Sequence, residues 1–551
     1  MKAINRRKFL KDSATVIGLT IGGGVFGRDI AGAAANSRRI HGHGIMIGEP
    51  TAARVGNDML AAGGNVIDGI VAAALAAAVV SMGNCGIGGY GGHMVLALNR
   101  GRKIRSIDFN TTAPAAAREE MFSLDEHGAV RDNANSYGWL AAGVPGTLAG
   151  LGLALERYGT RSFRQVVGPA IELAREGFPL SEGMARYIRN AASLLRTDPA
   201  TARLLLADGV APQAGDKFRN PDLARLLEIL AARNSVDSFY RGDIGRRIAE
   251  AFQTHGGLVT AEDMADYRAR VAQPLELKWR GLTVCTAPLT AGGITILETL
   301  SILKALNWET RPASPEKTQA RVEALRLAWQ DRLQLLGDPK KAKVPVKRLL
   351  SRDYAGELAA KVDRAVKERK PLSLNIDPRP QDGTVHLSAV DGRGNMAAVT
   401  LTHGNTLGAR VTVDGLGLVL GHGMSRFDPR PARPNSPGPG KRPLNNMCPT
   451  IVLRDGNAVL ALGGTGGRKI PNSVFDVLVQ YAGLGALMEE AIAAPRLHTE
   501  GDVKLTLEAG WPSDEAEFLK MSGYTIQTGP AAVVSAVSFD PETGECIAAA
   551  R

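Results

Sequence analysis

The sequence predicts an α+β protein in which helical layers lie outside packed β-sheets. Three observations carry that expectation. Helical spacing fills the middle of the chain, roughly residues 145–330. Strand signals separated by polar turns gather in the C-terminal part. Near the beginning, short strands alternate with an alanine-rich helix that has no polar face. At 551 residues the chain exceeds what one core normally needs, so two large lobes or one large layered domain both satisfy it. Its 64 glycines and 29 prolines then mean many tight loops, because periodic segments fill the space between them.

In chain order, Ile45 to Ile47 reads as a short strand, and Gly48-Glu49-Pro50-Thr51 as a turn into a helix start. The helix 52–62 ends at Gly63-Gly64, and Asn65 caps a second helix to about Val80 whose composition implies burial on all sides. The loop Gly86-Ile87-Gly88-Gly89-Tyr90-Gly91-Gly92 contains GxGxxG, but it follows a helix and precedes the strand 93–99. A dinucleotide site needs the opposite order, so that phosphate meets a helix N-terminus. Here the glycines read as a place where another backbone approaches closely.

A strand at 103–109 leads into Asn110-Thr111-Thr112-Ala113-Pro114. Helices follow at 148–158, 163–176, 223–232, 244–253, 261–267 and 294–306, and the span 346–369 is broadly helical with a charged outer face. Residues 370–383 read as an exposed segment. Strands are expected at 386–391, 395–401, 450–454 and 458–463, with a Pro/Gly-rich loop at 428–443 and helices at 473–481 and 487–494.

The first 35 residues read as an export signal. Asn5-Arg6-Arg7-Lys8-Phe9-Leu10-Lys11 is a twin-arginine pattern, followed by a mildly apolar run from Ala14 to Phe26 and by Ala33-Ala34-Ala35 before a predicted cleavage point. That run is too short and too rich in Gly and Thr to span a membrane stably, so contact with a membrane is expected only during export to the periplasm. Residues 1–35 hold six Lys or Arg and two acids, and their removal lowers the net charge from +11 to +7. Without a long basic run, nucleic acid is not an expected partner. Cys85, Cys285, Cys448 and Cys546 are far apart with no CxxC, and His41-Gly42-His43 has no accompanying carboxylate cluster. Neither a metal nor a disulfide framework is indicated, and mostly buried thiols are expected.

The stretch with the clearest chemistry is Asp382-Gly383-Thr384-Val385-His386-Leu387-Ser388-Ala389-Val390-Asp391. Breakers at Pro378, Pro380 and Gly383 precede it, and a strand signal follows, so Thr384 sits where an exposed segment becomes a buried strand. Cleavage of the Gly383–Thr384 bond would give Thr384 a hydroxyl and a free amine, a nucleophile with its own base. On these residues alone, a hairpin that happens to begin with Thr fits equally.

Several motifs together resemble the γ-glutamyltranspeptidases (γ-glutamyltransferases) of the N-terminal nucleophile hydrolases. They are Gly63-Gly64-Asn65-Val66-Ile67-Asp68, the glycine loop 86–92, Gly143-Val144-Pro145-Gly146-Thr147, the Thr384 stretch, Lys441-Arg442-Pro443-Leu444, Pro449-Thr450-Ile451 and Gly463-Gly464-Thr465-Gly466-Gly467. The resemblance implies a four-layer αββα sandwich and self-cleavage between Gly383 and Thr384. It divides the chain into a signal (1–35), a large subunit (36–383) and a small catalytic subunit (384–551). It makes Thr384 the nucleophile, Thr402 the residue that positions it, and the amides of Gly466 and Gly467 the oxyanion hole. The implied partners are a small-molecule amide, with water or an amine as acyl acceptor, and no cofactor is implied. A non-catalytic binding protein on the same fold is the alternative from another class.

The expected substrate pocket departs from the family pattern. Where the family has an arginine for the α-carboxylate of a γ-glutamyl group, this chain has Asn110. Where it has an acidic residue for the α-amine, Arg426 stands in Gly423-Met424-Ser425-Arg426-Phe427. A Ser-Ser pair becomes Asn445-Asn446, and the threonine after the nucleophile becomes Val385. An asparagine after the nucleophile strand falls near Gly404 or Asn405. The expectation is therefore an amidohydrolase for a different acyl group, small or anionic, held by Arg426 with Asn445 and Asn446, as in relatives that hydrolyse oxamate or acylated β-lactam side chains.

Overall fold

The computed structural model describes residues 36–376 and 383–551. The predicted signal at 1–35, and residues 377–382 of the predicted exposed segment, lie outside the described residues.

Two antiparallel sheets stack on each other. Their strands are β1 (Asn36–His41), β2 (Gly44–Ile47), β3 (Gly91–Leu98), β4 (Lys103–Asp108), β5 (Arg270–Ala272), β6 (Leu275–Trp279), β7 (Leu282–Thr286), β8 (Val385–Asp391), β9 (Met396–Thr402), β10 (Thr450–Arg454), β11 (Asn457–Thr465), β12 (Val533–Phe539) and β13 (Glu545–Ala550). One sheet runs β2-β8-β9-β3-β4-β5 and the other β1-β13-β12-β11-β10-β7-β6. Residues such as Val95, Met396, Ala398, Ala461 and Val537 fill the space between the sheets. Many are alanine or valine, as the close approach of two pleated surfaces requires.

Helices cover the two outer faces. On the six-stranded side lie α1 (Pro50–Ala61), α2 (Val66–Val80), α3 (Thr147–Tyr158), α4 (Phe163–Glu176) and α5 (Pro221–Arg233), packed in one large core with Leu387, Ala397 and Val399. On the seven-stranded side lie α6 (Gly293–Ala305), α7 (Pro315–Leu335), α8 (Arg352–Glu368) and α9 (Lys469–Leu478), sharing a core with Val284, Leu460 and Val534. The result is the αββα order. Among the described residues, no helix is long and apolar enough to cross a membrane. All four cysteines are buried and unpaired.

The helix at 66–80 forms as its sequence requires. Asn65 Oδ1 accepts from the backbone amides of Ile67 (2.9 Å) and Asp68 (3.0 Å), and the Asp68 carboxylate accepts from the Asn65 amide (2.8 Å), closing a capping box. Residues 66–79 are all buried. The Val66 amide also donates to Asp391 Oδ2 (3.2 Å), so the end of β8 is pinned to the start of α2.

Three sequence expectations need correction. The mostly helical zone 145–330 also contains β5, β6 and β7, two of them inside the seven-stranded sheet. The broad helix 346–369 is two helices, Val346–Leu349 and α8, because Ser351 accepts from the Tyr354 amide and starts a new helix. The terminal strands β1, β12 and β13 are absent from the expected elements: Ala548-Ala549-Ala550 reads more like helix than strand, whereas the β-branched run Val533–Phe539 is a strand signal that reading missed.

The glycine loop leads into β3 as expected, and its role is close backbone contact. Gly91 has φ +113°, and a Cβ there would lie 2.0 Å from the Phe109 carbonyl oxygen. Gly42, at φ +103°, has nothing within 4 Å of that position. Gly91→Ala should therefore destabilise by about 3 kcal/mol and Gly42→Ala by only ~1 kcal/mol. Thermal denaturation of the two variants checks this, and equal shifts would contradict it.

Candidate active site

The alternation of β8 places the site. Val385, Leu387 and Ala389 pack against the helices, while His386, Ser388 and Val390 face the other sheet. Thr384, one residue before β8, shares the parity of His386 and is 5% exposed. Thr402 ends the neighbouring strand β9 and shares the parity of Thr400. Both threonines fall on the face between the sheets.

They meet at one atom. The Thr384 hydroxyl donates to the Gly383 carbonyl oxygen at 2.6 Å, and the Thr402 hydroxyl donates to the same oxygen at 2.5 Å. The Gly404 amide donates to Thr402 Oγ1 at 2.7 Å and so orients that hydroxyl. Gly383 has φ +89°, and a Cβ there would come within 2.8–3.0 Å of the Asn405–Thr406 backbone. Glycine is required at this position on both counts.

The turn after β11 is held beside them. The His386 amide donates to Thr465 Oγ1 at 3.0 Å. The next two residues, Gly466 and Gly467, have φ values of +141° and +62°. Among the described residues neither backbone N–H has a partner. Two adjacent unfilled N–H groups at the end of a buried strand suit a developing negative charge. The His386 ring lies between Thr400 Oγ1 (2.8 Å) and Ser388 Oγ (2.9 Å) and fills the space that a side chain at Gly463 would occupy. Burial drives its pKa down to about 3.

Other histidines nearby are also held neutral. Burial lowers His403 to about 4, and burial together with the Arg426 charge lowers His422 to about 3. His93 falls to about 4 by burial, despite Asp108 at 3.8 Å. None of them changes charge near neutral pH, and their low proton affinity makes each a weak base there.

A cavity of about 580 Å³ lies alongside, with Trp329, Arg332, Asn405, Arg426, Asn446 and Arg468 among its walls. Thr384, Thr402, Gly466 and Gly467 do not line it themselves, but Asn405 abuts Gly383 and Arg468 directly follows the glycine pair. Arg426 is only 7% exposed, interacts with the Tyr90 hydroxyl and belongs to the wall rather than to the outer surface. Tyr90 comes from the glycine loop, which thereby supports the cavity. Asn446 Oδ1 accepts from Arg332 at 2.8 Å.

Asn110 and Asn445 do not line this cavity. The Asn110 amide nitrogen donates to Thr290 Oγ1 and the Pro443 carbonyl, both at 2.7 Å, in a fully buried position. Asn445 contacts His93 Nε2 at 2.9 Å and accepts from the Met447 amide at 3.0 Å. Both amide nitrogens are thus engaged within the protein, while Asn110 Oδ1 is buried with no partner among the described residues. Arg442 of the 441–444 motif is likewise internal, pairing with Asp108 at 2.5 Å and donating to the Arg268 carbonyl at 2.7 Å. Arg332 and Arg468 were not legible as cavity residues, because charged residues on α7 and beside a glycine turn read as solvent-facing.

Comparison with known proteins identifies the family. The family model for gamma-glutamyltranspeptidase matches residues 52–551. A glutathione hydrolase proenzyme of Pseudomonas sp. (strain A14) is 35% identical over 83% of this chain and 81% of its own length. The acylase ACY 1 proenzyme of Pseudomonas sp. (strain SE83) is 33% identical over 90% of each chain. The crystal structure of cephalosporin acylase from Bacillus halodurans superposes with a TM-score of 0.83 at 26% identity, covering 95% of this chain and 97% of that one. Sequence motifs, layer order and these matches converge, and the chain belongs to the γ-glutamyltranspeptidase family of N-terminal nucleophile hydrolases.

Proposed function

We propose that this protein is a self-cleaving N-terminal threonine amidohydrolase or acyltransferase whose acyl group is anionic rather than γ-glutamyl. The observation that carries the first part is the pair of hydroxyls converging on the Gly383 carbonyl. In the processing step, Thr384 Oγ attacks the Gly383 carbonyl carbon while the Thr402 hydroxyl holds the developing oxyanion. The C–N bond breaks to leave an ester and a free Thr384 amine. Water then hydrolyses the ester, releasing the Gly383 carboxylate and restoring the Thr384 hydroxyl.

In the catalytic cycle the new amine, with a reference pKa of roughly 7.7–8, accepts the Thr384 hydroxyl proton. The oxygen attacks the substrate amide, the Gly466 and Gly467 N–H groups hold the oxyanion, and the protonated amine returns its proton to the leaving amine. Water or an acceptor amine then takes the acyl group from Thr384. The low proton affinity of the buried histidines leaves the amine as the better-matched base. The two subunits would remain together through the shared sheet, since β8 and β9 from the small subunit lie between β2 and β3 from the large one. The twin-arginine pattern at Asn5–Lys11 supports delivery to the periplasm.

The anionic acyl group follows from the charges in the cavity. Among the described residues five arginines line it beside one carboxylate, Asp428, which is held by Arg430 through contacts of 2.9 and 2.6 Å. Such a wall favours a carboxylate and repels an α-ammonium group.

Two experiments test this reading. Thr402→Val removes a donor from the Gly383 carbonyl and should slow self-cleavage about 100-fold, whereas Thr402→Ser should restore most of it. Timed denaturing gels of freshly expressed protein would read this, and unchanged cleavage in Thr402→Val contradicts the assignment. For the substrate, γ-glutamyl-p-nitroanilide should be a poor substrate beside a panel of simple amides. Efficient glutamyl turnover would sink the rebuilt pocket.

A further inference from the structure

The N–H groups of Gly466 and Gly467 sit on the most pliable kind of backbone, so their direction must be held from outside. Glycine takes either sign of φ readily, and these two stand at +141° and +62° with no side chain to pack. On the β11 side the turn is anchored by Thr465, whose Oγ1 accepts from the His386 amide. On the α9 side the backbone contributes two long bonds. The Lys469 amide donates to the Gly466 carbonyl and the Ile470 amide to the Gly467 carbonyl, both at 3.3 Å. The next anchor is a side chain: Arg468, only 7% exposed, pairs through Nη1 with Glu500 Oε2.

Glu500 is carried on a loop that is itself braced. The Gly501 amide donates to Thr499 Oγ1 and the Thr499 hydroxyl to the Asp502 carbonyl, both at 3.1 Å. Arg326 Nε, on α7, donates to the Gly501 and Asp502 carbonyls at 3.0 Å. The same loop grips α9 one turn beyond Arg468. Asn472 Nδ2 donates to the Thr499 carbonyl at 2.6 Å and to His498 Nδ1 at 2.9 Å, while Asn472 Oδ1 accepts from the Trp329 indole N–H at 2.7 Å. With Nδ1 accepting, the His498 proton lies on Nε2, which faces Glu500 Oε1 at 3.5 Å. Burial alone would raise the Glu500 carboxyl, but the His498 hydrogen bond and the Arg468 charge hold it below its ordinary value. Glu500 is therefore ionised at neutral pH, and its charge-assisted contact fixes the first residue after the glycine pair.

We propose that Glu500 is a positioning residue which, through Arg468, holds the Gly466 and Gly467 N–H groups in their working direction. This rests on the oxyanion-hole reading given above and adds the group that aims it. Self-cleavage draws on the Thr402 hydroxyl rather than on the glycine turn, so the two reactions should respond differently.

Glu500→Gln keeps the shape of the side chain and removes its charge. The variant should self-cleave at the wild-type rate on timed denaturing gels. Its kcat should fall about tenfold for butyryl- and succinyl-p-nitroanilide alike, with KM within roughly twofold. A merely structural role would slow cleavage and turnover together, and that outcome overturns the proposal, as does an unchanged kcat. Added to Arg468→Gln, Glu500→Gln should change kcat by no more than roughly twofold, because it acts through that arginine. A further loss of about tenfold overturns the link. Amide hydrogen exchange reads the turn without any substrate. Lys469 and Ile470 should exchange about tenfold faster in Glu500→Gln while the β8 amides keep their protection, and unchanged exchange overturns the proposal. If Glu500→Gln does not fold, Arg468→Gln opens the same contact from the other side and should loosen the same two amides. Loss of the underlying reading looks different: wild-type protein that stays uncut and inert on both amides removes the oxyanion role, while exchange still decides whether Glu500 holds the turn.

Discussion

One carbonyl oxygen organises this site. The Gly383 oxygen takes hydroxyl donors from Thr384 at 2.6 Å and Thr402 at 2.5 Å, one for each of its lone pairs. The arrangement depends on two neighbouring strands ending in register, since β8 begins at Val385 directly opposite Leu401. It also depends on a glycine at 383, whose φ of +89° and contact with the Asn405–Thr406 backbone leave no room for a side chain. The far end of β8 is fixed as well, by the Asp391 carboxylate on the first turn of α2. A strand held at both ends and buried on both faces keeps Thr384 in place.

The same strand couples Thr384 to the rest of the site. Its alternation sends Leu387 and Ala389 to the helical core and His386 and Ser388 to the neighbouring sheet. Through its backbone amide, His386 fixes Thr465, and Thr465 fixes the turn bearing Gly466 and Gly467. The ring of His386 stays neutral and acts as a spacer against Gly463. A displaced β8 would thus move the nucleophile, the glycine turn and the wall at Asn405 together.

Much of this was legible in the sequence, for identifiable reasons. The breaker-then-strand pattern around Gly383-Thr384 marked the start of β8. The capping signal at Asn65 located α2. What stayed hidden was chemistry that breaks the rule placing charges outside. Helix α7 buries Arg321, Glu323, Arg326, Asp331 and Arg332, so its sequence shows no apolar face to orient it. Asn110 and Asn445 were expected at the substrate by alignment of positions, yet their amides are engaged by Thr290, Pro443 and His93 in contacts between segments far apart in sequence. The alanine-rich strand β13 follows from packing between sheets, where small side chains override strand propensity.

The central claim is that Thr384 becomes a free N-terminus, and intact mass spectrometry of the purified protein tests it most directly. The account predicts two fragments, the smaller one spanning 384–551 and beginning with an unmodified threonine amine, and a single uncut chain for Thr384→Ala. A wild-type protein that remains one chain across the Gly383–Thr384 bond would contradict it.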